Sequence, residues 1–174
     1  MPPPDDGFSI TSEKELFKAS FFSVVSDTIT APDGERYERQ IVRHPGAVAV
    51  VAMEGDEVVM IRQFRAPLGR EILEVPAGKL DVPGEPPLEC AQRELAEEVG
   101  RQAARWSLLG EFDNSPGFTD EHTVCFLAES LREVERSTQG VEEHFMTVEK
   151  VPLAKLWALV DSGELVDAKT IIAR

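Results

Sequence analysis

The sequence predicts an α/β fold in which a mixed β-sheet packs against helices and a small antiparallel sheet precedes it. Short apolar segments typical of strands alternate irregularly with helical segments, and clusters of Gly, Pro and Asp separate them. The 174 residues are 42% hydrophobic, which is enough to bury a core of their own. Without an internal repeat or a long linker, the sequence predicts one main domain over residues 44–174, preceded by an extension over residues 1–43.

The extension begins with a Pro- and Asp-rich stretch that is predicted to fray as far as Glu13. Residues 16–30 suit a strand, residues 31–34 form a turn, and residues 37–43 suit the return strand. Because two strands are too few to be stable alone, either the main domain or a second copy must cover their apolar face.

In the main domain, strands are predicted over residues 47–53 and 57–64, joined by a hairpin turn at 54–56. Further strands are predicted over residues 71–75, 106–112, 123–128 and 145–151. A last helix is predicted to begin near Pro152 and to bury one face, formed by Leu153, Leu156, Trp157 and Val160.

A helix of three to four turns is predicted between Pro86 and Gly100, since proline suits a first turn and glycine a helix end. Its apolar stripe consists of Leu88, Ala91, Leu95 and Val99. The adjoining sector carries Glu94, Glu97 and Glu98, which repel one another unless a cation lies among them. Taken alone, these glutamates also fit a solvated helix face on which Arg93 pairs with Glu97.

The wider pattern resembles the signature of the Nudix hydrolase family, which runs from a glycine through one glutamate to an Arg-Glu and a Glu-Glu pair. The matching residues are Gly78, Glu85, Arg93, Glu94, Leu95, Glu97, Glu98 and Gly100. Two positions depart from it: six residues rather than five separate Gly78 from Glu85, and Arg101 stands where the family usually has an aliphatic residue. The extra residue precedes the helix and Arg101 follows it, facing water, so neither alters the expected carboxylate geometry.

Three further segments resemble the ADP-ribose pyrophosphatase subgroup of that family: residues 73–78, the Ser-Pro-Gly loop over 115–121, and Glu142-Glu143. The resemblance covers most of residues 46–172. It implies an α/β/α sandwich with a mixed sheet, and Mg²⁺-dependent hydrolysis of ADP-ribose to AMP and ribose 5-phosphate, with Mn²⁺ as a substitute ion.

The resemblance also implies a set of site residues. Metal ligands would be Glu94, Glu98 and the carbonyl of Ala77, with Glu97 on another ion or its water. Arg93 and Glu85 would orient these ligands. The general base would be a glutamate outside the helix, Glu142 as first choice and Glu143 as alternate. His144 is a weaker candidate, because the neighbouring carboxylates favour its protonated form.

For the substrate, the resemblance implies contacts from Arg65 and Arg39, whose guanidinium groups match phosphate oxygens. Glu74 and Glu121 would accept hydrogen bonds from ribose hydroxyls or hold the loop. Either arginine could instead pair with a local acid on the sheet surface. The partner of the adenine ring stays open among four aromatic residues: Phe17, Phe21, Phe22 and Tyr37.

Charge and cysteine content limit the kinds of partner and the cellular compartment that are expected for the chain. A net charge of −14 argues against nucleic acid or an anionic membrane as partner. Only Cys90 and Cys125 are present, without metal-ligand spacing, and no apolar run reaches the length of a membrane span, so we expect a reduced, cytoplasmic protein. As in the subgroup, a homodimer is expected. The alternatives are hydrolysis of another nucleoside diphosphate sugar or nucleotide, and a non-catalytic nucleotide-sensing module.

Overall fold

The computed structural model describes residues 7–137 and 144–173 and contains two sheets. Contacts between Cα atoms divide the chain into two compact units, Met1–Pro45 with Asp113–His122, and Gly46–Phe112 with Thr123–Arg174. The boundary predicted after Arg43 and its role in dimerisation stay predictions.

The first unit contains a three-stranded antiparallel sheet in the order β1-β2-β3, with strands β1 (Ser9–Lys18), β2 (Ser23–Thr30) and β3 (Arg36–Arg43). The predicted fraying up to Glu13 is wrong, because β1 begins at Ser9 and pairs with β2 along its length. Every residue of β1 is exposed, so its sequence lacks the apolar alternation by which a strand is usually found.

The second unit is built on a sheet of seven strands. They are β4 (Ala47–Glu54), β5 (Glu57–Arg65), β6 (Arg70–Glu74), β7 (Ala77–Lys79), β8 (Arg101–Asp113), β9 (His122–Glu133) and β10 (Thr147–Pro152). The central order is β10-β5-β4-β9-β8, with β6 paired to β5 and β7 to β4. Because β4 runs parallel to β9 and antiparallel to β5, the sheet is mixed, as predicted.

Strand β4 is apolar from Ala47 to Met53, and its residues Ala47 to Ala52 are buried on both faces. On one face, Val48 and Val50 pack with helix α1 (Pro87–Glu94) and its continuation. On the other, Ala49 and Val51 pack with the side of the sheet that carries helices α2 (Leu156–Asp161) and α3 (Ala168–Ala173). Helices on both faces of a mixed sheet confirm the predicted α/β/α class.

Three details of packing differ from the predictions. Leu88 is 37% exposed, and Cys90 takes its place in the buried stripe of α1. Near the C-terminus, Leu153 and Trp157 are exposed, because a 3₁₀ turn over Leu153–Lys155 precedes α2 and leaves Leu156 as its buried residue. Arg101 does not face water, since its side chain is 15% exposed and pairs with Glu133 at 3.2 Å.

Candidate active site

Strand β7 lies directly against the carboxylate-bearing helix. Gly78 pairs with Val48 in the sheet, and a Cβ atom placed on it would overlap the carboxylate of Glu94. Any larger residue at this position would therefore require the Glu94 side chain to move.

The helix changes its winding in the middle of the carboxylate sector. Helix α1 begins at Pro87, and after Glu94 it continues as a π-helical turn over Leu95–Val99. Gly100 ends it in the left-handed conformation, with φ 69°, and donates a hydrogen bond to the carbonyl of Ala96 at 3.0 Å. Single π-helical turns within α-helices are frequent at functional sites, and this one carries Glu97 and Glu98.

Arg93 gathers three of the predicted carboxylates. Its Nε and Nη2 each donate to one oxygen of Glu85 at 2.9 Å, while Nη1 donates to Glu94 at 2.8 Å and to Glu97 at 3.1 Å. The hydrogen bonds with Glu85 are the largest influence on Arg93 and raise its pKa, although burial opposes the charge. The same hydrogen bonds lower the pKa of Glu85, so both groups are ionised at neutral pH.

Glu98 is the most buried of the three helix glutamates. Its side chain is almost inaccessible, and Oε2 accepts a hydrogen bond from the backbone N–H of Ala77 at 3.1 Å. Glu94 and Glu98 thus both reach the segment Ala77–Gly78, one against the glycine and the other on the preceding amide.

The donor set suits a hard divalent cation. Glu94 and Glu98 lie at the segment Ala77–Gly78, and Glu85, Glu94 and Glu97 contact the guanidinium of Arg93, which leaves this part of the molecule rich in negative oxygen ligands. As arranged in the described ranges 7–137 and 144–173, no group of three His, Cys, Asp or Glu side chains is positioned to hold an ion directly. The predicted ligands Ala77, Glu94, Glu97 and Glu98 therefore stay predictions that the chemistry of these groups fits.

A second ion pair lies on the same unit, at the ends of β5 and β6. Arg65 donates from Nε and Nη2 to the two oxygens of Glu74, both at 2.7 Å, in a bidentate arrangement. Glu74 is fully buried, whereas the Arg65 side chain is 35% exposed. Burial opposes the charge of Arg65, but the hydrogen bonds and charge of Glu74 outweigh it and raise the pKa of Arg65. Each oxygen of Glu74 thus accepts a hydrogen bond from Arg65, and the role of Glu74 in contacting the ribose or holding the loop stays a prediction.

The predicted substrate residues Arg39 and Glu121 belong to the other compact unit. The guanidinium of Arg39 lies 4.6 Å from the centroid of the Tyr37 ring and donates to the carbonyl of Glu38 at 2.9 Å. Glu121 lies in the Ser-Pro-Gly loop, which its backbone closes by accepting from the amide of Asn114 at 3.0 Å. Among the candidate aromatic residues, Phe22 contacts both Phe17 and Phe21.

The predicted bases Glu142 and Glu143 lie outside the described residues. His144 is described and is exposed. Their assignment stays a prediction.

Sequence reasoning missed one buried polar residue beside this site. Gln63 is 6% exposed, and within the described part of the chain its Oε1 has no hydrogen-bond partner. It lies on β5 two residues before Arg65, so the alternation of side chains along a strand places it on the same face. That alternation was the signal in the sequence that could have found it.

The two cysteines carry no part of the chemistry described so far. Both are buried and free, and burial raises the pKa of Cys90 to about 12 and that of Cys125 to about 11. For Cys90 the nearby charge of Glu94 adds to the effect of burial. Thiols with such values stay protonated at neutral pH and are poor nucleophiles.

None of the helices in the described residues is long and apolar enough to cross a membrane.

Comparison with known proteins agrees with this geometry. The family model for the NUDIX domain matches residues 42–171. The chain is 42% identical over 165 residues to an ADP-ribose pyrophosphatase of Mycobacterium tuberculosis (strain ATCC 25618 / H37Rv), covering 94% of this chain and 80% of that protein. It is 40% identical over 163 residues to an ADP-ribose pyrophosphatase of Bacillus subtilis (strain 168), covering 93% and 88%.

A solved structure described as an ADP compounds hydrolase has the same fold. It superimposes with a TM-score of 0.82 at 24% sequence identity, covering 95% of this chain and 89% of that one. The family model spans most of the chain and both relatives are well above 30% identical, so the resemblance read from the glutamate pattern is confirmed. The chain therefore belongs to the Nudix family, and it is a Nudix pyrophosphohydrolase.

Proposed function

We propose that the chain hydrolyses the diphosphate of ADP-ribose to AMP and ribose 5-phosphate in a Mg²⁺-dependent reaction, with Mn²⁺ able to substitute. One observation carries the proposal: the carboxylates of Glu94 and Glu98 both reach the backbone at Ala77–Gly78. The choice of ADP-ribose rests on the two relatives that are named as ADP-ribose pyrophosphatases.

The metal would be held by Glu94, Glu98 and the carbonyl of Ala77, with Glu97 on a further ion or its water. Bound there, Mg²⁺ would lower the pKa of coordinated water and neutralise phosphate oxygens. Arg93 and Glu85 orient the ligands, because the guanidinium contacts Glu94 and Glu97 and is itself fixed by both oxygens of Glu85.

In this proposal, Arg65 and Arg39 bind the substrate anion. Glu74 holds two of the five N–H groups of Arg65 and so directs the remaining donors toward the diphosphate. In this proposal Glu74 acts by holding Arg65 rather than by contacting the ribose. Glu121, in the Ser-Pro-Gly loop, contacts the substrate.

The general base in this proposal is Glu142, with Glu143 as alternate. A carboxylate that takes a proton from the attacking water contributes about 10²–10⁴-fold to the rate. Glu142→Gln should therefore lower kcat in that range with little change in KM, and Glu143→Gln should have a much smaller effect. The reversed order of effects would assign the base to Glu143. If neither variant slows turnover beyond about tenfold, the base is neither, and Glu97 becomes the candidate.

The proposed activity is tested with a panel of purified substrates. The wild-type protein is assayed with ADP-ribose, other nucleoside diphosphate sugars and oxidised nucleoside triphosphates, each with Mg²⁺, with Mn²⁺ and with a chelator. The proposal expects the highest kcat/KM for ADP-ribose, with AMP and ribose 5-phosphate as products and no turnover under chelation. Preference for another nucleoside diphosphate sugar would change the substrate. Binding without turnover of any compound would favour a nucleotide-sensing module.

We also propose a homodimer in which the N-terminal sheet packs against a second copy, and a cytoplasmic location, which the free thiols favour. Strand β1 is an edge strand that exposes the apolar side chains of Ile10, Leu16 and Phe17, and Phe8, just before the strand, is exposed as well. Such an edge is normally covered in a stable assembly. Light scattering at micromolar concentration should give twice the mass of one chain, and a fully active monomer would contradict this assembly.

A further inference from the structure

The C-terminal helix is fastened to the segment that leads into the active-site loop. Asp167 accepts from the backbone N–H of Thr170 at 2.9 Å and from its hydroxyl at 2.7 Å. The same hydroxyl accepts from the backbone N–H of Val75 at 2.9 Å, and Thr170 is fully buried. A single threonine thus connects α3 to the residue that follows Glu74.

A lysine on the same helix reaches the buried ion pair. Lys169 Nζ lies 2.7 Å from Oδ1 of Asp167 and 3.7 Å from Oε2 of Glu74. Its side chain is 18% exposed and that of Asp167 is 9% exposed. Although burial acts against its charge, Asp167 has a lowered pKa because of the ammonium of Lys169 and the hydrogen bonds from Thr170.

We propose that Asp167, Lys169 and Thr170 form a C-terminal latch that positions Arg65 for the anionic part of the substrate, acting through Glu74. These three are positioning residues and do not touch the substrate. The inference rests on the proposed function only in taking Arg65 as a contact to the substrate diphosphate.

Charge balance gives the latch its physical basis. Glu74 is fully buried, and a buried carboxylate needs cationic partners on fixed positions. Arg65 supplies one, but a guanidinium that also binds a diphosphate is drawn toward the substrate. Lys169 supplies a second cation from the C-terminal helix, so Glu74 stays in place while Arg65 uses its other N–H groups.

Thr170 performs the equivalent task for the backbone. The N–H of Val75 is buried, and the threonine hydroxyl satisfies it. Two residues on, the N–H of Ala77 donates to Glu98. The segment between Glu74 and Ala77 is thereby held by the latch at one end and by the carboxylate helix at the other. A shift of α3 would therefore displace both Arg65 and the proposed metal ligands.

The test uses the full-length enzyme and ADP-ribose, with kcat and KM measured separately. Lys169→Met should raise KM about tenfold with kcat within about twofold, since an aligned Arg65 stabilises bound substrate and transition state alike. Lys169→Arg, which keeps the cation, should restore most of the affinity. Lys155→Met, at an exposed lysine beside α2, is the matched control and should change neither constant.

A double-mutant cycle distinguishes positioning from a general loss of stability. In an Arg65→Ala background, Lys169→Met should raise KM no further, because the residue through which it acts is gone. The same tenfold rise in that background would overturn the proposal. Should Lys169→Met fail to fold, Thr170→Val and Thr170→Ser replace it in the cycle. The valine should raise KM and the serine, which retains the hydroxyl, should not.

A second measurement needs no substrate. The Nε–H of Arg65 is fixed by Glu74 and should give a sharp, slowly exchanging NMR signal that broadens in Lys169→Met and returns in Lys169→Arg. An unchanged signal in Lys169→Met would overturn the latch. Failure of the proposed function would instead be seen in the wild-type protein, as no hydrolysis of ADP-ribose.

Discussion

Two arginines in this molecule each contact three carboxylates, and they have different purposes. In the second unit Arg93 contacts Glu85, Glu94 and Glu97. In the first unit Arg43 contacts Glu13, Asp27 and Asp120, at 2.7, 2.7 and 3.3 Å.

The difference lies in where the carboxylates come from. Those around Arg93 all fall within the short span from Glu85 to Glu97, on one helix and the turn before it. Those around Arg43 come from β1, from β2 and from the Ser-Pro-Gly loop, which lies 77 positions along the chain. The cluster around Arg93 connects no distant parts of the chain, and in the proposed function it orients the metal ligands. A cluster assembled from three segments serves the architecture of its unit.

The largest effect should come from the helix that carries Glu98 together with Glu94 of the local cluster. Glu98→Gln and Glu94→Gln should each lower kcat by several orders of magnitude, because each removes a negative oxygen ligand while keeping the size of the side chain. The matched control is Glu89→Gln, an exposed glutamate on the same helix, which should leave kcat unchanged. Near wild-type turnover in Glu98→Gln would contradict the proposal that the glutamates of this helix serve catalysis.

Gly78→Ala should follow, with a fall in kcat of about 10²-fold, because the added methyl group overlaps the carboxylate of Glu94 and misplaces it. The control is Gly110→Ala on β8, where an added Cβ meets no atom within 4 Å. Equal kinetics for the two variants would mean that the position of Glu94 against the glycine is unimportant for turnover.

Arg43→Met should act on stability rather than on turnover. It leaves Asp27, which is fully buried, without the guanidinium that binds its Oδ2, and should lower the free energy of unfolding by about 2 kcal/mol. Chemical denaturation measures this, with the exposed Arg36→Met as control. Loss of kcat in folded Arg43→Met would show that the architectural cluster also serves the chemistry.

The smallest effect concerns pH. Arg93 lowers the pKa of Glu85 below its ordinary value of 4.5 in the folded protein, so the pair stabilises the fold above that value and loses its contribution as pH falls through the folded pKa. Glu85→Gln should therefore cost up to about 1 kcal/mol at pH 7 and little at pH 3. Denaturant midpoints for wild type and variant across that range should converge at low pH, and parallel curves would contradict the assignment.

The sequence predicts features that depend on near neighbours and fails where partners are distant. The helix ending at Gly100, the hairpin at Gly55 and the strand over residues 47–53 all follow from local spacing. Leu153 and Trp157 were placed wrongly because one 3₁₀ turn rotates the face of the short helix that follows.

For the site, sequence spacing could place Arg93 among its glutamates, and the structure shows those contacts. It could not find the pairing of Arg65 with Glu74, since two strands must first lie side by side. Thr170 is further out of reach, because its partner Val75 is 95 positions away and no periodicity connects them.

The π-helical turn over Leu95–Val99 determines where this chain tolerates insertions and deletions. A turn with one residue more than usual sets the rotation between Glu94 and Glu98, so deleting one residue there would turn one of the two carboxylates away from Ala77–Gly78. The exposed stretch over residues 81–84 has no such constraint, and the residue by which this chain exceeds the family pattern lies between Gly78 and Glu85. Natural variation in length should accordingly accumulate before Glu85 and be absent between Glu94 and Gly100.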